Sequence, residues 1–159
     1  WVSELPWVSV YAARSGAGSG TPDTCREMLE AGECVLVFPE GVRGMNKLYK
    51  ERYKLQRFGT GFLRLALEAQ TPIVPVALVG SEEQNPGLAN FERLGRLLGP
   101  LGILPMPVKY QLYFGEPLHF QGSPTDDDAV IDEHVETVKA AIEALFERGL
   151  RERRGVFSG

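Results

Sequence analysis

The chain has 159 residues, a length that suits one domain with a buried core. Its formal net charge of −4 argues against a nucleic-acid-binding protein, in which a basic face is expected. The cysteines, Cys25 and Cys34, are too few for a disulfide framework, and we expect two reduced packing side chains in a cytoplasmic protein. The sequence contains no apolar run of roughly 18 residues and no metal-ligand spacing, so it predicts neither a membrane-spanning helix nor a metal site.

The first third of the chain predicts a helix followed by a buried strand. Thr21 is a suitable N-cap, and Pro22 is favoured in the first helical turn. Gly32 is typical of the left-handed residue that stops a helix, so the pattern predicts a helix over residues 22–31. The apolar, β-prone run at residues 34–38 then predicts a buried strand.

The middle of the chain repeats the order of helix and strand. Residues 58–70 are amphipathic, and residues 73–79 form a second apolar run. The predicted apolar face of the helix consists of Phe62, Leu65, Ala66 and Ala69. Two apolar strands joined through a helix imply a right-handed parallel crossover in a sheet that is covered on both faces. The predicted fold class is therefore α/β, with a mixed, mostly parallel sheet covered by helices on both faces.

The last third of the chain predicts a helix, a strand and a long helix, at residues 91–98, 108–114 and 126–153. The final helix begins with acidic residues and ends with arginines, which matches the helix dipole. We expect Glu82 and Glu83, which follow the apolar run at residues 73–79, to be solvated. The elements together predict a single domain over residues 1–159.

The most informative motif lies where the first predicted strand ends. Pro39, Glu40 and Gly41 follow the apolar run directly, and Arg43 comes two residues later. Open α/β sheets place ligand sites at this strand end, and the guanidinium fork of arginine suits phosphate or carboxylate. The alternative is a plain turn, in which the proline stops the strand and the glycine adopts a positive φ.

The run from Phe38 to Arg43 resembles the Phe-Pro-Glu-Gly-Thr-Arg block of the glycerophospholipid acyltransferases, the family that includes lysophosphatidate and glycerol-phosphate acyltransferases. Residues 72–77 resemble the family's later Ile-Val-Pro-Val strand, and residues 58–62 lie between the blocks as in the family. The resemblance covers roughly residues 1–120. It implies transfer of a fatty acyl group from acyl-CoA or acyl carrier protein to the hydroxyl of a glycerolipid or related lipid alcohol.

The resemblance also assigns roles to single residues. It implies that Glu40, Gly41 and Arg43 bind the acceptor and that Pro75 shapes the wall of the cleft. It implies no cofactor beyond the acyl thioester co-substrate. Because both lipid substrates reside in membranes, we expect the protein in the cytoplasm, peripheral to or anchored in a membrane.

A basic run at residues 43–57 follows the motif. Its candidate contacts for head groups or carrier phosphates are Lys47, Arg52 and Arg57. Tyr49 and Tyr53 lie among these cations and favour an interfacial position. A solvated loop is the alternative, since most charge runs are solvated.

The chain departs from the family pattern near the motif. Val42 stands where the family has threonine, and Gly44 stands where serine is common, so two hydroxyl donors are absent. The family's earlier block, whose arginine is implied to bind the acceptor phosphate, has no clear counterpart in residues 16–26. These departures favour a neutral acceptor, such as a mono- or diacylglycerol.

The resemblance implies general-base catalysis by a His-x4-Asp pair, which this chain lacks. The fifth residue after His119 is Pro124, and the fifth after His134 is Lys139. We therefore assign no catalytic residue and expect this chain alone to be inactive. Three explanations are open: a piece of a longer protein, a numbering that skips residues, or a non-catalytic lipid- or acyl-carrier-binding relative. We favour the first two.

Overall fold

The computed structural model describes residues 21–41, 51–84, 108–153 and 155. Their helices are α1 Pro22–Glu30, α2 Gly61–Glu68, α3 Ser81–Gln84 and α4 Asp128–Glu152, and their strands are β1 Val76–Val79 and β2 Gln111–Phe114. The chain divides into two compact units, Trp1–Val37 and Phe38–Gly159. The helix expected at residues 91–98 lies outside the described residues, and the single domain stays a prediction.

Helix α1 in the first unit begins and ends close to its predicted bounds. The Thr21 hydroxyl accepts a hydrogen bond from the backbone N–H of Thr24 at 3.4 Å, as an N-cap does. Gly32 has a φ of +79°, which is the left-handed stop that the sequence predicts. Cys25 and Cys34 are free thiols, but Cys34 is exposed, so the prediction that it packs in a core is wrong.

The strand predicted at residues 34–38 is absent from the structure. These residues have no strand assignment, and Leu36 and Phe38 are 71% and 75% exposed. A strand requires a neighbour to complete its backbone hydrogen bonds. In the described part of the chain, β1 and β2 pair only with each other, so the apolar run has no ladder partner.

The two strands of the second unit are antiparallel, with Val76 opposite Phe114 and Val79 opposite Gln111. An isolated bridge between Ile73 and Leu118 continues the same pairing. The α/β class is supported, but no parallel pair occurs among the described residues. The predicted parallel crossover required residues 34–38 to form a strand beside residues 73–79. In the structure, β1 pairs with β2 instead.

The sheet is covered on one face only within the described residues. Ala77 and Val79 face α4 and are fully buried, whereas Leu112 and Phe114 are 60% and 66% exposed on the other face. Helix α4 approaches the sheet closely at Gly149, where an added Cβ would lie 2.7 Å from atoms of Val79. The described residues do not show the predicted cover on the second face, which stays a prediction.

The core of the second unit joins α2 to α4. Its buried members are Phe58, Leu63, Leu67, Ile131 and Val135. Each aliphatic side chain that is fully buried contributes about 1.5–3 kcal/mol. The face predicted for α2 is about one residue out of register, since the core takes Leu63 and Leu67 and leaves three of the four predicted members half-buried.

Candidate functional site

The Pro-Glu-Gly motif forms a tight turn at the start of the second unit. The backbone N–H of Gly41 donates to the carbonyl oxygen of Phe38 at 3.0 Å. Gly41 has a φ of +57°, which other L-residues adopt at a cost of roughly 1–2 kcal/mol. A Cβ added there would meet no atom of the described residues within 4 Å, so within this part of the chain the backbone conformation explains the need for glycine.

One hydrogen bond connects this turn to the next motif block. The N–H of Gly59 donates to the carbonyl oxygen of Pro39 at 2.9 Å. This bond closes the base of the segment that contains the basic run and brings the turn next to the residues that begin α2. The motif blocks at residues 38–43 and 58–62, which are separated in sequence, are therefore in direct contact in the structure.

The predicted acceptor-binding residues are described in part. Glu40 is half-buried, and the protein encloses its Oε2 atom. Arg43 and Lys47 lie outside the described residues, so their positions relative to Glu40 stay predictions. Arg57 is exposed, and the Nε atom of Arg52 lies 4.0 Å from a carboxylate oxygen of Glu83.

Pro75 lies in the protein interior, directly before β1. Its side chain is fully buried, and its carbonyl oxygen accepts from the N–H of Gly115 at 2.9 Å. Proline has no N–H to donate to a ladder, which is consistent with a strand that begins at Val76. The role of Pro75 in the wall of a cleft stays a prediction.

The expectation that Glu82 and Glu83 are solvated is wrong. Arg153 Nη1 donates to Glu83 Oε2 at 2.5 Å, and both side chains are less than a tenth exposed. The carboxylate of Glu82 accepts from the backbone N–H of Tyr53, also at 2.5 Å. Charged side chains are buried when they are paired, and here the partner lies 70 residues away in sequence, where no local pattern could identify it.

Tyr53 is the centre of this network and differs from the interfacial tyrosine that the sequence indicates. Its ring packs on Phe146 with the centroids 5.5 Å apart, and its hydroxyl accepts from the N–H of Gly80 at 2.8 Å. Burial raises the pKa of Tyr53, and the nearby Glu83 carboxylate acts in the same direction. The hydroxyl is therefore protonated at neutral pH.

The two histidines occupy different environments. His119 is exposed, and His134 is half-buried against Phe120, with the ring centroids 5.0 Å apart. The described residues contain no cluster of three or more potential metal-ligating side chains. No helix in the described ranges combines the length and the apolar character that crossing a membrane requires.

Comparisons with known proteins show which sequence family this chain is similar to. The family model described as "Acyltransferase" matches residues 5–79 and confirms the acyltransferase resemblance. This stretch includes the Pro39–Gly41 turn, Gly59 and Pro75. Residues 5–79 are thus similar in sequence to the acyltransferase family.

The most informative relatives are bacterial and vertebrate proteins. The chain is 35% identical to an uncharacterized protein of Mycobacterium tuberculosis over 176 residues, which cover 99% of this chain and 49% of that protein. It is 28% identical to the protein of Gallus gallus named "DGAT1/2-independent enzyme synthesizing storage lipids", covering 91% of this chain and 44% of that protein. The human protein of that name is also 28% identical, covering 95% of this chain and 47% of its own length.

The chain spans about half the length of the curated relatives it matches. No solved structure matches it significantly.

Proposed function

We propose that the complete protein is an O-acyltransferase, which moves a fatty acyl group from acyl-CoA or acyl carrier protein to the hydroxyl of a glycerolipid or related lipid alcohol. The observation that carries the proposal is the acyltransferase match over residues 5–79. The hydrogen bond between Pro39 and Gly59 supports it, because it joins two of the motif blocks in one local structure. The mostly parallel sheet that the sequence pattern predicts stays a prediction for the complete protein.

The proposed reaction is one acyl transfer. The hydroxyl oxygen of the acceptor attacks the thioester carbonyl, a C–O bond forms, and the C–S bond breaks. The hydroxyl proton passes to a general base, and the thiolate leaves and takes up a proton. The acceptor would be bound by Glu40, Gly41 and Arg43, and the absence of a side chain at Gly41 would allow close approach of the backbone.

The general base in this proposal is a histidine oriented by an aspartate, as the resemblance implies. Neither His119 nor His134 has the required spacing, so the pair would come from outside these 159 residues. N-terminal sequencing and the intact mass of the native protein test this point. A native sequence with no His-x4-Asp pair before residue 1 would exclude this assignment of the base.

A neutral acceptor, such as a mono- or diacylglycerol, fits the chain best. The arginine block that the resemblance implies for a phosphorylated acceptor has no counterpart in residues 16–26. The vertebrate relatives are named as enzymes that synthesize storage lipids, which supports the same choice. Lys47, Arg52 and Arg57 would then contact the donor's phosphates or anionic head groups at a membrane surface.

The second candidate function is a catalytically inactive module that binds lipid or acyl carrier. The missing His-x4-Asp pair is the observation that favours it. Release of free thiol from acyl-CoA separates the two functions. Thiol release that depends on added diacylglycerol would exclude the binding-only function, and binding of both ligands without release would exclude the enzyme.

Substitution of Arg43 tests the acceptor site in the complete protein. Arg43→Ala should raise the KM for diacylglycerol or lower kcat/KM by about 10-fold or more, because a charged hydrogen bond contributes roughly 1.5–3 kcal/mol. The matched control is Arg151→Ala, at an exposed arginine in the last turn of α4. Unchanged kinetics for Arg43→Ala would contradict the role given to this arginine.

A further inference from the structure

A group of contacts fixes the chain at Tyr53, inside the basic run. We call Tyr53, Gly80, Glu82, Glu83 and Arg153 the Tyr53 clamp. The backbone N–H of Tyr53 donates to Glu82, and its hydroxyl accepts from the N–H of Gly80 at 2.8 Å and from Arg153 Nη1 at 3.5 Å. The clamp therefore connects the basic run to the end of β1 and to the end of α4.

The backbone at Tyr53 is in a conformation that needs such support. Its φ is +62°, which is rare for a residue with a bulky side chain. The N–H of Lys54 donates to the carbonyl oxygen of Glu51 at 3.1 Å and completes a turn around it. Outliers of this kind persist only where surrounding contacts determine them, and they are frequent near functional sites.

Two charged side chains of the clamp, Glu83 and Arg153, are almost fully buried. The Glu83 carboxylate lies between two guanidinium groups, with Arg153 at 2.5 Å and Arg52 at 4.0 Å. Arg153 also donates through Nε to the carbonyl oxygen of Gly155 at 2.9 Å. Since Arg153 is held inside the protein, its charge serves the clamp rather than a ligand.

The cations on either side of Tyr53 face solvent. The side chain of Arg52 is 41% exposed, and Lys54 and Arg57 are also exposed. Arg52 and Lys54 lie in the turn that the clamp holds, and Arg57 follows this turn by three residues. A fixed backbone that carries these cations suits an anionic ligand, because less of the chain must be ordered when the ligand binds.

We propose that Tyr53 is a positioning residue, which through its hydrogen bonds to Gly80 and Arg153 holds Arg52, Lys54 and Arg57 for the phosphates of the acyl donor. This inference rests on the proposed acyltransferase function. Tyr53 does not touch the reacting atoms. Its loss should weaken recognition of the phosphate-bearing part of the donor and leave the chemical step unchanged.

The test compares two donors in the complete protein. One is a long-chain acyl-CoA, and the other is the same acyl group on N-acetylcysteamine, a thioester without phosphates. Tyr53→Phe removes the hydrogen bonds that the hydroxyl accepts from Gly80 and Arg153, and it should raise the KM for acyl-CoA about 3- to 10-fold with kcat unchanged. The KM for the phosphate-free thioester should not change.

Tyr113→Phe is the matched control, because Tyr113 is also half-buried and its hydroxyl contacts Glu152 on α4. It should leave both KM values unchanged. A general loss of stability would affect both donors alike, so an equal rise in the two KM values for Tyr53→Phe, or no rise in either, overturns the inference.

A second variant serves if Tyr53→Phe fails to fold. Arg153→Lys keeps the positive charge beside Glu83 but lacks the guanidinium fork that also reaches Tyr53 and Gly155. It should give the same donor-selective rise in KM, and unchanged KM values in folded Arg153→Lys overturn the inference.

The variant Arg57→Ala distinguishes failure of this inference from failure of the proposed acyltransferase function. If Arg57→Ala raises the KM for acyl-CoA alone and Tyr53→Phe does not, the inference fails and the proposed function stands. If the wild-type protein transfers acyl groups from neither donor, both fail.

Discussion

Removing one partner of the buried pair of Glu83 and Arg153 should strongly destabilise the second unit. We predict that Glu83→Gln destabilises the complete protein by about 3–5 kcal/mol, the usual result of removing one partner from a buried ion pair. The magnitude follows from the structure, since the two groups are 2.5 Å apart and their side chains are 6% and 7% exposed. Removing the carboxylate charge leaves a guanidinium buried without its ion-pair partner.

Urea denaturation followed by circular dichroism measures this loss, and a double variant tests its cause. In Glu83→Leu with Arg153→Met, both buried charges of the pair are removed. The double variant should therefore lose less stability than Glu83→Gln alone. With the single variants Glu83→Leu and Arg153→Met it should give an interaction free energy of about 0.5–3 kcal/mol between the two positions.

The matched control is Glu152→Gln on α4. Glu152 accepts from Arg148 at 2.8 Å, but the two side chains are 50% and 60% exposed, so its loss should not be detectable. If Glu83→Gln were as stable as the wild type, or if the double variant lost the sum of the single losses, the pair would not be buried as the structure shows.

Two further predictions concern close packing and ionisation. Gly149→Ala should destabilise the protein by about 1–3 kcal/mol, because the new methyl group would lie 2.7 Å from atoms of Tyr113 and Val79. Urea denaturation checks this, with Gly61→Ala as the control that has open space and should be neutral or stabilising. The raised pKa of Tyr53 favours its protonated form in the folded state, so this contribution to stability should be full below pH about 10 and lost as the pH rises through the folded pKa. Phenolate absorbance of the wild type minus Tyr53→Phe should show a component above pH 10, and a component at lower pH would contradict the burial.

Local patterns in the sequence predict the helices well. The Thr21 cap, Pro22 and the Gly32 stop predict α1 to within a residue of its end, because capping depends on neighbours a few positions apart. The charge pattern at residues 126–153 likewise predicts α4, which spans Asp128–Glu152. The sequence also predicts a positive φ at Gly41 if its motif forms a turn, and the structure confirms this φ.

Strand pairing and buried charge depend on distant residues and were not predictable in the same way. The apolar run at residues 34–38 has the composition of a strand but no partner among the described residues. Glutamate is usually solvated, yet Glu83 is buried because it pairs with Arg153, which lies 70 residues away in sequence. In both cases the local preference is correct for the residue type, and the tertiary partner decides the outcome.

The sequence predicts the motifs of the candidate site but not the contacts between them. The family match confirms the resemblance first read from residues 38–43 and 72–77. The hydrogen bond from Gly59 to Pro39 and the support of the basic run by Tyr53 were not predictable, since they depend on how the chain folds back between the blocks.

The most direct test of the proposed activity is the balance of products in one reaction. The complete protein is incubated with acyl-CoA and diacylglycerol, and free thiol and acylated lipid are quantified by absorbance and mass spectrometry. We predict one new lipid ester for each thiol released, and no thiol release without the lipid alcohol. Thiol release without ester formation, or no release at all, would contradict the proposal that this protein is a lipid acyltransferase.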